Sequence, residues 1–239
     1  MAIQTQYIEY MDDDLMLEGY MAWDDKLTKP KPGVLIGHAW AGRTSFECKK
    51  AEELAKLGYV GFALDLYGKG VKGNNNNENA ALMKPLLEDR PLLQRRVMLA
   101  LKVMQQHSEV DPKKLASIGY CFGGLASLDL VRCGVSINGA VSLHGNLSSP
   151  GNTKGNKIAA KVLVLHGWKD PMVPPADVIN FAKEMVEMSA DWQLHAFGSA
   201  MHAFTKAEAN DPDNGMLYDE ASDYRSWNSM QLFLTEIFS

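Results

Sequence analysis

The segment Gly119-Tyr120-Cys121-Phe122-Gly123-Gly124 constrains this chain more than any other, because it sets a cysteine among glycines where an apolar strand-like run (Leu115 to Ile118) meets a helix-like run (Leu125 to Val131). A strand that turns sharply into a helix forces its central residue into a strained backbone conformation, and the flanking residues must lack a Cβ for the two chains to pass. The arrangement is the G-x-S-x-G elbow with Cys in the place of Ser. A sulfur lifted out at a helix N-terminus lies where backbone N–H groups and the helix dipole favour thiolate over thiol and can receive a developing oxyanion. A buried structural cysteine before an ordinary glycine turn produces the same short match, so partners elsewhere must decide.

On such a scaffold the partners come in the order nucleophile, acid, histidine, each on a loop after a strand. The apolar run Val162-Leu163-Val164-Leu165 leads into His166-Gly167-Trp168-Lys169-Asp170-Pro171. A buried parallel strand ending in Gly and Asp-Pro puts Asp170 at the carboxyl edge of a sheet, although Asp-Pro alone is a common turn former. A further strand pattern, Trp192 to Phe197, precedes Gly198-Ser199-Ala200-Met201-His202-Ala203-Phe204. His202 is therefore expected on a loop beyond the last strand, with the amphipathic stretch Tyr224 to Phe238 closing the sheet as a helix.

The rest of the chain keeps the same rhythm. Gln4 to Tyr10 and Leu15 to Trp23 read as strands turned by the acidic run Asp12-Asp13-Asp14, an antiparallel hairpin. Gly33 to Gly37 and Val60 to Leu64 read as strands, Ser45 to Leu57 and Pro91 to His107 as helices, and Gly139 to Leu143 as another strand. Alternating strands and helices imply an α/β fold: a mostly parallel twisted sheet of about eight strands with helices on both faces. With no linker and no repeat in 239 residues, one domain over 1–239 is expected. The patch Gly73-Asn74-Asn75-Asn76-Asn77 precedes a short helix, Asn79 to Leu87, and the two read either as a lid or as a plain connector.

A formal net charge of −5, with no basic cluster beyond pairs such as Arg95-Arg96, argues against nucleic acid as a partner. No stretch approaches the length of a membrane span, and polar residues stand where a signal peptide needs an apolar core. Three thiols (Cys48, Cys121, Cys133) form an odd set without disulfide spacing, which points to the cytoplasm. There is no P-loop and no H-E-x-x-H, so no cofactor and no metal is expected. His38, His144 and His166 each end a strand pattern and are read as hydrogen-bonding residues near a site. The oligomeric state is left as monomer or homodimer.

His38-Ala39-Trp40-Ala41-Gly42, Leu57 through Gly68, the elbow, His166-Gly167 through Asp170-Pro171 and His202-Ala203-Phe204-Thr205 together resemble the dienelactone hydrolase family of α/β-hydrolases, in its broader carboxylesterase-like branch. The resemblance spans essentially the whole chain. It implies that Cys121 is the nucleophile, His202 the base and Asp170 its orienting partner, acting on a small ester or lactone through a thioester. The backbone N–H groups of Trp40 and Phe122 are the expected oxyanion donors. Lys206, Trp168, Phe204, Tyr67 and His38 are the substrate-binding candidates. Two positions depart from the family: Ala39 stands where many relatives carry a glutamate that contacts the thiol, and Lys206 where the namesake enzymes carry an arginine. The first leaves the sulfur governed by His202 and the helix terminus, so a resting thiolate is expected. The second keeps the charge but loses the bidentate grip on a carboxylate. Two other uses of the same site remain open: hydrolysis of activated phosphoesters, and a non-catalytic thiol-sensing or ligand-binding role.

Overall fold

A computed structural model describes residues 2–26 and 28–239. Among these residues, eight strands form one mixed, mostly parallel sheet in the order Ile3–Asp12, Leu15–Asp24, Val60–Ala63, Lys31–Gly37, Val110–Tyr120, Gly139–Leu143, Lys161–Gly167 and Asp191–Phe197, with six α-helices and a separate two-stranded ribbon. The chain divides into two compact units, residues 1–118 and 119–239. Strand β5 (Val110–Tyr120) runs from the first into the second.

In the first unit, β1 (Ile3–Asp12) and β2 (Leu15–Asp24) pair antiparallel around the expected acidic turn, with Asp13 at φ 51°. β3 (Lys31–Gly37) and β4 (Val60–Ala63) pair parallel, and both are apolar and mostly buried because they lie inside the sheet. Helix α1 (Ser45–Lys56) starts in a capping box: the Thr44 side chain accepts from Phe46 N–H, and the Glu47 carboxylate takes the Thr44 N–H and hydroxyl. Helix α2 (Asn76–Glu88) begins inside the asparagine run, three residues before its expected start. Asn75 accepts from Glu78 N–H as the N-cap, so the low-complexity patch is itself the helix start signal. Helix α3 (Arg90–Gln105) is tied to the hairpin by Arg96, which donates to the buried Asp12 at 2.8 Å and to the Leu66 carbonyl at 2.5 Å.

The second unit holds β6 (Gly139–Leu143) and β7 (Lys161–Gly167), which pair parallel, and β8 (Asp191–Phe197), parallel to β7 with one side exposed. Helix α4 (Phe122–Arg132), between β5 and β6, is buried along its whole length. Arg132 at its end is wholly buried and donates to Asp129, Glu184 and the carbonyls of Leu147 and Ser148. That network ties α4 to helix α5 (Pro175–Glu187) and to the loop after β6. Sequence reading left α5 unassigned. Val178, Phe181, Ala182 and Met185 recur at helical spacing and form its inner face, with Phe181 and Met185 buried, while Ile179 and Val186 are exposed. The ribbon β9 (Asn210–Asp211) and β10 (Met216–Leu217) was also unassigned, being too short for any alternation to register. Helix α6 (Glu220–Phe238) ends the chain. Among the described residues, no helix is long and apolar enough to cross a membrane.

Candidate active site

The elbow is built by steric necessity. Cys121 stands between β5 and α4 at φ 54°, ψ −114°, a region that L-residues rarely occupy and that costs about 1–3 kcal/mol. Its own N–H is held by the Leu143 carbonyl at 3.0 Å, while its carbonyl accepts the first helical N–H of Gly124. A Cβ on Gly119 would lie 2.0 Å from the Gly123 oxygen, and one on Gly124 would lie 2.9 Å from the Gly145 Cα. Side chains at either position would push strand and helix apart, which is the reason these glycines surround the cysteine.

Asp170 and His202 reach each other from two loops of the same unit. Both are buried, and His202 Nδ1 lies 2.7 Å from Asp170 Oδ2. The second carboxylate oxygen accepts the Met172 N–H at 2.8 Å, so the acid is fixed by its own loop before it meets the imidazole. The histidine backbone is held by the ribbon: His202 N–H donates to the Gly215 carbonyl at 2.9 Å, and Leu217 N–H donates to the His202 carbonyl at 3.1 Å. A Cβ on Gly215 would lie 2.2 Å from Pro171 Cγ, so the ribbon packs directly against the residue after the acid.

The remaining ring nitrogen, His202 Nε2, is buried and makes no hydrogen bond of normal geometry, yet Cys121 acts on this ring through charge and a loose hydrogen bond. Such contacts are commonly long in unliganded sites. Burial opposes a charge on His202. The pull of Cys121 and the bond to Asp170 outweigh it and push the pKa from 6.5 up to about 10.

Two further histidines of this unit lie near His202, and neither is charged at neutral pH. His144, at the end of β6 and at φ 40°, meets His202 edge-on with ring centroids 5.3 Å apart. Its Nε2 lies 2.8 Å from the Thr205 hydroxyl. Burial first, and the neighbouring His202 charge second, hold its pKa well below 6.5. His166 at the end of β7 is buried and similarly lowered, mainly by desolvation. Thr205 and Gly215 were not singled out by the sequence reading as site residues; the pair Asn214-Gly215 is a turn signal from which Gly215 could have been found. Among the described residues, no cluster of three or more His, Cys, Asp or Glu is arranged to hold a metal ion.

The expected oxyanion loop lies in the first unit. Trp40 is half-buried, and its carbonyl accepts the Tyr67 hydroxyl at 3.0 Å. His38 is fully buried, with both ring nitrogens engaged by the backbone of Ala39 and Leu66. Burial lowers its pKa, leaving it neutral. The Ala39 N–H donates to the buried Glu47 carboxylate at 3.3 Å, so a glutamate from α1 engages this loop although position 39 carries none. Of the substrate-binding candidates, Trp168 and Lys206 are exposed. Tyr67 and His38 direct their polar atoms into the loop, and Phe204 is wholly buried against His144 and Phe197.

The sequence profile of the dienelactone hydrolase family matches residues 17–238. The chain belongs to the dienelactone hydrolase family. It is thus an α/β-hydrolase and an ester-bond hydrolase. Two solved structures align over the whole of both chains: a protein called m3DLH, at 31% identity and a TM-score of 0.93, and a dienelactone hydrolase-like promiscuous phosphotriesterase from metagenomic libraries, at 30% and 0.94. Among curated proteins, one from Aquifex aeolicus named "Putative carboxymethylenebutenolidase" is 26% identical over 230 residues, 93% of this chain and 94% of its own length.

Proposed function

We propose that this dienelactone hydrolase family member cleaves small esters or lactones through Cys121, His202 and Asp170, with a thioester intermediate. The observation that carries the reading is the buried Asp170–His202 pair, 2.7 Å apart, on a ring that also interacts with Cys121. A protonated His202 beside the sulfur describes a resting thiolate–imidazolium pair, the state expected for a sulfur at a helix N-terminus.

In this state the nucleophile needs no deprotonation. The thiolate adds to the ester carbonyl carbon, and the carbonyl pair moves to oxygen. The oxyanion is received by the Phe122 N–H at the start of α4. As the tetrahedral species collapses, the C–O bond to the alcohol breaks and His202 Nε2 gives its proton to the departing oxygen. The acyl group remains on sulfur as a thioester, and His202 is neutral. Water then yields a proton to Nε2 and attacks the thioester; collapse expels the thiolate and restores the ion pair. The net reaction is ester plus water to acid plus alcohol. Asp170 keeps Nδ1 protonated throughout, so that Nε2 faces the chemistry.

We place the substrate's outer contacts at Trp168 and Lys206, the exposed members of the candidate set. An indole and a lysine among the outer contacts suit an ester with an aromatic or neutral body and at most one anionic group. Residues 1–239 are taken to work as one catalytic domain, a reading supported by a single family profile running through both units. The three free thiols support a reducing compartment, the cytoplasm.

A second reading is hydrolysis of activated phosphotriesters at the same sulfur, favoured by the whole-chain likeness to the promiscuous phosphotriesterase. Turnover of nitrophenyl acetate and of a nitrophenyl dialkyl phosphate, by the unaltered protein and by Cys121→Ala, tests both. Sustained ester turnover that disappears in Cys121→Ala supports the esterase. One stoichiometric burst without turnover supports the thiol sensor instead.

A further inference from the structure

His144 is a buried imidazole beside the Asp170–His202 pair that takes no part in the proposed reaction. It stands one residue beyond β6 at φ 40°, a backbone conformation that an L-residue keeps only where its surroundings enforce it. Its N–H donates to the Leu165 carbonyl of β7 at 2.9 Å, and its Nε2 lies 2.8 Å from the Thr205 hydroxyl. Among the described residues the buried Nδ1 has no partner, so Thr205 is the ring's only polar anchor. A hydroxyl both donates and accepts, so this bond forms with either neutral tautomer.

Thr205 and His202 belong to one turn. Between them Ala203 takes φ 57°, its carbonyl accepts the Lys206 N–H at 2.9 Å, and Phe204 is wholly buried. The His144 ring packs edge-on against both His202 and Phe204, with centroids 5.3 and 5.1 Å away. A ring anchored at the end of this turn therefore lies against the imidazole at its beginning. Burial first, and the His202 charge second, keep His144 neutral, so it supports the catalytic ring without opposing its charge.

That support matters most when His202 has given up its proton. In the resting imidazolium the bond to Asp170 joins opposite charges and the thiolate attracts the ring as well, so electrostatics orients it. In the thioester state the sulfur is uncharged and His202 is neutral. The ring then keeps its hydrogen bond to Asp170, and packing against His144 holds Nε2 on the line of the incoming water.

We infer that His144, anchored by Thr205, is a positioning residue that holds neutral His202 in place for hydrolysis of the thioester. The inference rests on the proposed acyl transfer through Cys121 and deepens it, assigning these two side chains to one of its two half-reactions.

Rapid quench during turnover of saturating nitrophenyl acetate, read by intact mass, gives the fraction of Cys121 that carries an acetyl group. The turnover rate divided by that fraction is the rate of release; divided by the remaining fraction, it is the rate of acylation. In Thr205→Val, which removes the hydroxyl, release is expected to slow by about 3- to 10-fold, the size of one lost hydrogen bond, while acylation stays within about twofold. Thr205→Ser, which keeps the hydroxyl, stays within about twofold in both steps. His144→Ala, which takes the ring away, slows release by about 10- to 100-fold, as a misplaced catalytic group does. Alkylation of Cys121 by iodoacetamide at neutral pH samples the resting ion pair and changes by less than about twofold in all three variants.

Acylation and release slowed by the same factor in Thr205→Val would make His144 and Thr205 general packing and overturn the inference alone, as would slowing of acylation only, or no change in either step. Continued turnover with no acetyl group on Cys121 in the unaltered protein or any variant overturns the inference together with the acyl-transfer reading. Should His144→Ala fail to fold, Thr205→Val decides, since it removes one hydroxyl and leaves the ring.

Discussion

His202 Nδ1 and Asp170 Oδ2 lie 2.7 Å apart, both buried, with the other carboxylate oxygen already committed to the Met172 N–H. Asp170→Asn keeps this shape, but an amide N–H facing Nδ1 favours the wrong tautomer. We expect kcat on nitrophenyl acetate to fall by about 100- to 10,000-fold with KM little changed, the pattern of a lost transition-state interaction. A fall of less than about threefold would remove Asp170 from the mechanism.

The pH behaviour follows from His202. With its pKa pushed up to about 10, the imidazolium persists through the neutral range and holds the thiolate beside it. Alkylation of Cys121 by iodoacetamide is therefore nearly flat between about pH 6 and 9, whereas in His202→Ala it follows a free thiol titrating near 8.5. Stability carries the same signature. His202 binds its proton more tightly folded than unfolded, so its contribution is complete below 6.5 and is lost as pH rises through about 10. Urea midpoints measured from pH 7 to 10 are expected to fall more steeply for the unaltered protein than for His202→Ala.

Gly215 joins the ribbon to the catalytic loops. It sits at φ 75°, accepts the His202 N–H, and has no room for a Cβ against Pro171. Gly215→Ala is expected to destabilise the fold by about 1–3 kcal/mol through strain. It should also lower kcat by more than about tenfold, because it displaces Pro171 next to Asp170 and the carbonyl that holds His202. Thermal melts and kinetics on the same preparation separate the two effects.

Where periodicity and turn chemistry agree, the fold is written plainly in the chain. The hairpin around Asp13, the buried runs of β3, β6 and β7, and the Cys121 elbow were all legible, since glycine placement and apolar runs are local signals. The start of α2 was missed because an asparagine run reads as disorder until Asn75 is seen capping Glu78. Helix α5 was legible too, since Val178, Phe181, Ala182 and Met185 stand at helical spacing, but it was not read. Of the candidate site, the order Cys121, Asp170, His202 was legible, but the inward bonding of His38 and Tyr67 was not. That depends on which backbone atoms the fold brings to these side chains, and spacing carries no record of it.

Lys206 is exposed, so its contribution to binding is modest and screened by salt. Lys206→Ala should raise KM by about 2- to 5-fold for esters or lactones bearing a carboxylate and leave neutral esters unchanged. Equal effects on both classes would remove it from the substrate contacts.

The most direct test of the account is intact-mass analysis of protein quenched during turnover of nitrophenyl acetate. The account predicts one acetyl group on the peptide carrying Cys121, accumulating when His202→Ala slows its release, and no adduct in Cys121→Ala. Ester turnover undiminished in Cys121→Ala, or an acetyl group located on any other residue during turnover, would contradict it.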